Sequence, residues 1–484
     1  MKKRFLAILA AVLLPSCLFA QFGVVSPLHV NGNQLNDAYG NKVVLHGVMD
    51  TPSPYFNKYR WGNTCTDNNI QPCISYYDKI FGALQNPAKG TYCNIFRLHL
   101  EPGWTNDPNK KSTGSDTGEA NISRFSATRL QKYLDALYLP IAQKAINHGL
   151  YVVIRPPGVC PKDLKVGDAY QNYLKTVWNI VSSNSWVKNN SGIVSLELAN
   201  EPVHIYNRYG QSSATAMRDY FQPVVDVIRK NGFKGIIWIP GTGYQSQYEN
   251  YATYPVSDSN FGYAVHVYPG WYGASDKNYD SNAFISNFQK QVPVVKNKPI
   301  LVSEIDWSPE RPGAGKYNEF GQWVASNLGS WGTATTSKWG NAWKKVMDHF
   351  GNISMTLTST DDYLDIDNFL KTGQIKAGLE ANPEACGQTC FYWYYEYSKK
   401  DYAHKSAGTS SSNQNTQPST GSSTSANTQG ENIIKSWGDG SGFVPSGWTV
   451  ADNGSQVYAG NKSSGPRIMN FSGDFKRSEE RRVG

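Results

Sequence analysis

From about residue 24 to residue 402, short apolar runs alternate with amphipathic stretches. Eight runs have the length and apolar content of buried strands: 42–48, 93–99, 150–155, 194–199, 235–240, 262–267, 299–303 and 352–357. Several of the intervening stretches repeat at helical spacing. Leu130, Leu134, Leu137, Ile141 and Ala145 form one apolar stripe, Tyr170, Leu174, Val177, Trp178 and Val181 a second, and Met217, Phe221, Val224, Val225 and Ile228 a third. Two of these helices stop at His148-Gly149 and Asn231-Gly232, where glycine suits a left-handed cap and a strand begins at once. Strands that are apolar nearly throughout, separated by helices, predict a parallel sheet covered on both faces. Closed on itself, that sheet is a (β/α)8 TIM barrel, which sends the C-terminal ends of all eight strands to one mouth. An open doubly wound sheet is the alternative. It is disfavoured, because no Gly-rich phosphate turn follows the first strand. Residues 33–41 read as a small hairpin leading into the barrel.

The ends have a different character. Residues 1–20 combine Lys2, Lys3 and Arg4 with a short apolar core and a small-residue end, the pattern of a secretory signal peptide. The core is too short to span a bilayer, and no later segment is long enough. Leu14-Pro15-Ser16-Cys17 is an imperfect lipoprotein-type box, so lipid attachment at a cell surface stays open beside a secreted or periplasmic location. The barrel is expected over 21–404. Residues 405–430 are Ser, Thr, Gly, Asn and Gln with hardly an apolar side chain, a flexible linker. Residues 431–484 regain strand-like pieces at 447–450 and 467–471, read as an incomplete all-β segment of β-sandwich type. Its last stretch, Arg477 to Gly484, matches the translation of a sequencing adaptor and is left out of the fold.

The formal charge of +8 sits mostly in these ends, in Lys2, Lys3, Arg4 and the basic tail from Lys476, and implies neither a nucleic-acid nor an acidic-membrane partner. A monomer is expected. With Cys17 removed, six cysteines remain in an exported chain, which permits disulfides. Cys65 with Cys73, and Cys386 with Cys390, are close enough in sequence to pair; Cys93 and Cys160 fall at opposite ends of the sheet. No histidine lies at ligand spacing from a cysteine pair, so no metal is expected.

Two apolar runs deliver a glutamate at or just past their end. Ser195-Leu196-Glu197-Leu198-Ala199 leads into Asn200-Glu201-Pro202, and Pro299-Ile300-Leu301-Val302-Ser303 into Glu304. Two carboxylates at the tips of buried strands suit glycosidic-bond hydrolysis, where one protonates the leaving oxygen and the other attacks or stabilises the anomeric carbon. Glu197 shares parity with Glu201 but lies deeper, where a bracing role is expected.

Gly47 after Val43-Val44-Leu45-His46, Arg97 in Ile95-Phe96-Arg97-Leu98, Asn200-Glu201-Pro202, His266-Val267-Tyr268 and Ser303-Glu304 occur in that order. Together they resemble glycoside hydrolase family 5, the large cellulase and mannanase family of (β/α)8 retaining enzymes, over roughly residues 25–400. The resemblance implies Glu201 as acid/base and Glu304 as nucleophile. Arg97 would hold Glu304 anionic, Asn200 would bind the sugar 2-hydroxyl, and His266 and Tyr268 would reach toward the sugar and the carboxylates. Trp271 and Trp307 follow the sixth and seventh strands, and with Trp104 they are candidate sugar-stacking faces; Trp61 and Trp238 read as structural. A secreted endo-β-1,4-glucanase follows, with β-glucan as the favoured polysaccharide, mannan as the alternative, and no metal or organic cofactor.

Two departures from the family pattern stand out. The run Val152-Val153-Ile154-Arg155-Pro156-Pro157-Gly158 lacks the family's histidine after the third strand, and 352–359 lacks its eighth-strand tryptophan. Met355, Tyr363 and Trp393 are the candidates to floor the site instead. The same gaps motivate a rival reading, a non-catalytic carbohydrate-binding barrel.

Overall fold

The structure, a computed structural model, describes residues 25–275, 278–307, 315–317, 323–325, 337–378 and 386–400, together with the strands Trp448–Val450, Gln456–Ala459 and Ile468–Asn470. The expected signal peptide, linker and terminal run lie outside the described residues.

Eight parallel strands close into a barrel in chain order: β1 (His46–Asp50), β2 (Ile95–His99), β3 (Tyr151–Arg155), β4 (Val194–Glu197), β5 (Ile237–Pro240), β6 (Phe261–Val267), β7 (Ile300–Ile305) and β8 (Ile353–Leu357). Each falls on one of the eight apolar runs. The (β/α)8 expectation holds. Gly149 and Gly232 take φ of 84° and 88°, the left-handed caps their positions demand.

Around the barrel run α1 (Ile70–Leu84), α2 (Ala127–Tyr133), α3 (Leu139–Asn147), α4 (Ala169–Ser183), α5 (Ala216–Lys230), α6 (Ser281–Gln291), α7 (Ser337–Phe350) and α8 (Cys386–Lys400). A π-turn at Leu134–Tyr138 joins α2 to α3. Pro140, which has no N–H to donate, stands just beyond it, where the helical ladder must slip. Between β5 and β6 no long helix forms; the chain makes only short turns at Thr242–Gln245 and Glu249–Ala252.

Alternate residues of each strand face two cores. Outward residues such as Phe96 pack against Tyr77 and Phe81 of α1. A second cluster holds Ile95, Val153, Trp238, Ala264 and Leu301, and the N-terminal residues Val25, Leu28, Leu35 and Val43 belong to it. The hairpin formed by His29–Asn31 and Gln34–Asn36, with Lys42–Val43 as a third strand, thus plugs the barrel end opposite the mouth. Separately, Trp448–Val450, Gln456–Ala459 and Ile468–Asn470 form a three-stranded antiparallel sheet.

The six cysteines of the described residues are free thiols, which corrects the expected pairings. Cys386 and Cys390 sit one turn apart on α8, where Cβ atoms are about 5–6 Å apart. A disulfide needs roughly 3.5–4.5 Å.

Candidate active site

Arg97, fully buried on β2, organises the mouth of the barrel. Its Nε and Nη2 donate to the two oxygens of Glu197 at 2.5 and 2.9 Å. Its Nη1 donates to Glu304 Oε1 at 2.9 Å, and Nη2 also reaches Asn200 Oδ1 at 2.9 Å. One guanidinium therefore braces Glu197 and holds Glu304 at once. Burial alone would favour the neutral base, but Glu197 and then Glu304 outweigh it and raise the Arg97 pKa.

Strand parity alone would not send Glu304 into the barrel. Ser303, its neighbour, points inward and donates to Glu197 Oε1 at 2.9 Å. The register of β7 slips against both β6 and β8, and His266 pairs with Glu304 instead of Ser303. This irregularity turns two consecutive side chains to one face, as β-bulges do. Glu304 Oε2 then accepts from Tyr268 Oη at 2.9 Å and lies 3.5 Å from His266 Nδ1. Burial would raise the Glu304 pKa, yet His266, Arg97 and Arg155 together bring it down to about 2. Tyr268, pushed up by burial and by Glu304, keeps its proton to donate.

Glu201 follows β4 and is more open to solvent, its side chain 27% exposed against 9% for Glu304. It takes φ of +57°, rare for a residue with a Cβ. Its Oε1 lies 3.1 Å from His266 Nδ1, and its N–H donates to Gln245 Oε1 at 2.7 Å. One donor atom from each of Glu201, His266 and Glu304 lies within 4.8 Å of the other two. That spacing could also suit a metal, but both Glu304 oxygens already accept hydrogen bonds and a guanidinium sits 2.9 Å away. The set fits a proton-transfer pair better than a cation.

The family model for cellulases, glycosyl hydrolase family 5, matches residues 83–333, more than half of the chain. The chain belongs to that family. This family 5 hydrolase shares its fold with the β-glucanase SdGluc5_26A of Saccharophagus degradans, solved alone and with cellotetraose. The two share 14% identity over 81% of this chain and 99% of that one, with a TM-score of 0.52. Endoglucanase Cel5A of Thermobifida fusca is 18% identical over 76% and 97% of the chains, with a TM-score of 0.46. A mannanase of Streptomyces sp. SirexAA-E is 14% identical over 78% and 93%, with a TM-score of 0.40. No curated protein matches the chain.

The hydrolase brings Arg97, Asn200, Glu201, His266, Tyr268 and Glu304 together at one mouth. Trp271, half-buried, sets its ring against Tyr268, with centroids 5.3 Å apart. Trp307 is a correction. It is fully buried between Trp339 and Trp393, so no sugar can reach its face. Trp104 is likewise buried, stacked on Trp61 with its N–H on Pro52 O. Met355, Tyr363 and Trp393 all pack in the outer core and do not floor the site; Thr358, 3.4 Å from Tyr268 Oη, stands there instead.

Several residues of the site went unrecognised in the sequence. His99, at the end of β2, meets Arg97 through Nε2 at 3.2 Å and Arg155 through Nδ1 at 2.8 Å. Burial, then Arg155 and Arg97, hold its pKa well below the usual imidazole value, so it is neutral. Arg155 thus occupies the third-strand end where the family's histidine is missing, and an imidazole stands one strand over. Asp50 and Glu101 ring the same mouth, each pushed up to about 7 chiefly by burial. Glu101 opens onto a cleft of about 800 Å³ between the loops after β1 and β2, lined also by Tyr55, Tyr59, Arg129 and Tyr133.

Proposed function

We propose that this chain is a secreted, retaining endo-β-1,4-glucanase. The observation that carries the reading is the pair Glu201 and Glu304, whose oxygens approach within 4.8 Å while only Glu304 is held by the Arg97 guanidinium. Carboxyl groups about 5–5.5 Å apart leave no room for a water between carboxylate and sugar, which favours a covalent route over inversion at roughly 6.5–9.5 Å. Glu304, ionised at any working pH, attacks the anomeric carbon, and Tyr268 and Arg97 fix its oxygens for that attack. Glu201, solvent-reached and beside His266, protonates the departing oxygen and then takes a proton from the water that releases the glycosyl-enzyme. Asn200, its carbonyl oxygen tied to Arg97, has its NH2 end available for the sugar 2-hydroxyl. Trp271 packs against Tyr268, which holds Glu304, and the Glu101 cleft lies between the loops that follow β1 and β2, a groove that suits a chain cut internally. Choosing glucan draws support from the cellulase family match and from the fold shared with a β-glucanase solved with cellotetraose.

Product analysis on carboxymethylcellulose, mixed-linkage glucan, xyloglucan, glucomannan and xylan tests the reading. Wild type should cleave soluble β-glucan internally and release the β-anomer first, and Glu304→Ala should release nothing. An α-anomer formed first overturns retention, and products from mannan alone move the substrate to mannan. Binding without cleavage on the whole panel makes the barrel a carbohydrate-binding protein.

A further inference from the structure

We infer that Gln245 is a positioning residue whose single side-chain amide ties the main chain of Glu201 to the ion-pair network that holds Glu304. The inference rests on the acid/base reading of Glu201 given above.

Two strained turns face each other here. Glu201 sits at φ +57°, and opposite it Gly243, Tyr244 and Gln245 take φ of 60°, 59° and 63°. A run of three left-handed residues, two of them with a Cβ, persists only where the surroundings over-determine it. They do so here. The N–H groups of Gly243 and Tyr244 donate to Val203 O and Pro202 O, each at 3.0 Å, and zip the β5 turn onto the chain just past Glu201. The turn delivers Gln245, fully buried, between strands. Its Oε1 accepts the Glu201 N–H at 2.7 Å, and its Nε2 donates to Glu197 Oε1 and to Ala264 O, both at 3.2 Å. Glu197 carries Arg97, and Arg97 carries Glu304. An unbroken path of hydrogen bonds thus runs from one carboxyl residue to the other.

The side chain must be an amide of this length. Glutamine presents an acceptor to one partner and donors to the other two from one plane, without charge. A carboxylate in its place would face Glu197. Without the acceptor, the Glu201 N–H loses its partner and the main chain is released to ordinary φ, which swings the carboxyl away from His266. The defect should fall on proton transfer to the leaving group, more than on substrate binding.

Leaving-group dependence reads that defect. An aryl glycoside with an acidic leaving group, 2,4-dinitrophenyl β-cellobioside, needs no proton donor in its first step, whereas phenyl β-cellobioside does. In Gln245→Met, kcat/KM should fall by about 100-fold on the phenyl glycoside, a typical loss for general acid catalysis. It should fall far less on the dinitrophenyl glycoside, and added azide should yield glycosyl azide. Gln245→Asn tolerates the left-handed backbone but is one methylene too short to reach Glu201 and Glu197 together. It should give the same selective loss, and supplies the readout if the methionine variant does not fold. Equal losses on both glycosides in a folded variant, or none on either, overturn the clamp alone. A wild-type chain inert to both overturns the hydrolase reading, and the clamp with it.

Discussion

Glu304 shows how far one side chain's chemistry depends on its neighbours. Its pKa of about 2 in the folded chain lies below the 4.5 of an ordinary glutamate, so between those values the unfolded chain binds the extra proton. The stability this carboxylate contributes is therefore complete above about pH 4.5 and is lost as pH falls toward about 2. Asp50 and Glu101, raised to about 7 by burial, act in the opposite sense from about pH 7 down to about 4, and so mask the effect in a simple acid titration. Comparison with Glu304→Gln separates them. The variant's deficit in urea unfolding should be largest above about pH 5 and should shrink as pH falls toward 2, because protonated Glu304 and glutamine then resemble each other. A deficit independent of pH would remove the ionised, Arg97-held state from the account. At this scale the motifs made the carboxylates, Arg97 and His266-x-Tyr268 legible. Gln245 and His99 were not, because what they do depends on contacts with residues distant in the chain, Glu201 lying 44 positions from Gln245 and Arg155 56 from His99.

Elements add what residue types cannot. All eight strands could be read from apolar runs, since a strand buried on both faces leaves few polar interruptions. The aim of Glu304 could not. Alternation assigns Ser303 and Glu304 to opposite faces, and only the register slip in β7 brings both inward. Trp307, three residues past Glu304, goes to the outer core, where Gly340 makes room for it; a Cβ at that glycine would lie 2.8 Å from the indole. The left-handed course of the turn after β5 is set by contacts with Pro202 and Val203, which no local pattern announces. β1 depends on a comparably close approach. A Cβ on Gly47 would fall 1.9 Å from the carbonyl oxygen of Ile95, on the strand to which it pairs. Backbone cannot yield as a flexible side chain can, so Gly47→Ala should cost about 1–3 kcal/mol or more. The cost should appear in thermal unfolding of the barrel, with activity lost in proportion to unfolded chain. An unchanged midpoint would mean that the β1–β2 contact is looser than described.

For the whole molecule, the alternation of strands and helices was enough for the barrel, and the family match over 83–333 covers β2 to β7. Composition misled on the cysteines, because an exported chain permits disulfides without requiring them. Cys65 alone among the six is half-exposed, and the other five are buried. Iodoacetamide applied to the native protein should therefore modify Cys65 and spare those five, while a reductant should leave the melting temperature unchanged. A melting temperature lowered by reductant would show a bridge between thiols that here are free. The hairpin over the far end of the barrel has a consequence for the proposed reaction. With the interior filled by Val153, Trp238 and Leu301 and that end covered by Val25, Leu28, Leu35 and Val43, reactants can come and go only by the front. On the proposed retaining route, where one fragment of polymer stays covalently held, the incoming water must use the space the departed fragment has just left. Any alcohol that fits there competes with it, so concentrated oligosaccharide should turn the catalyst from cutting chains to joining them.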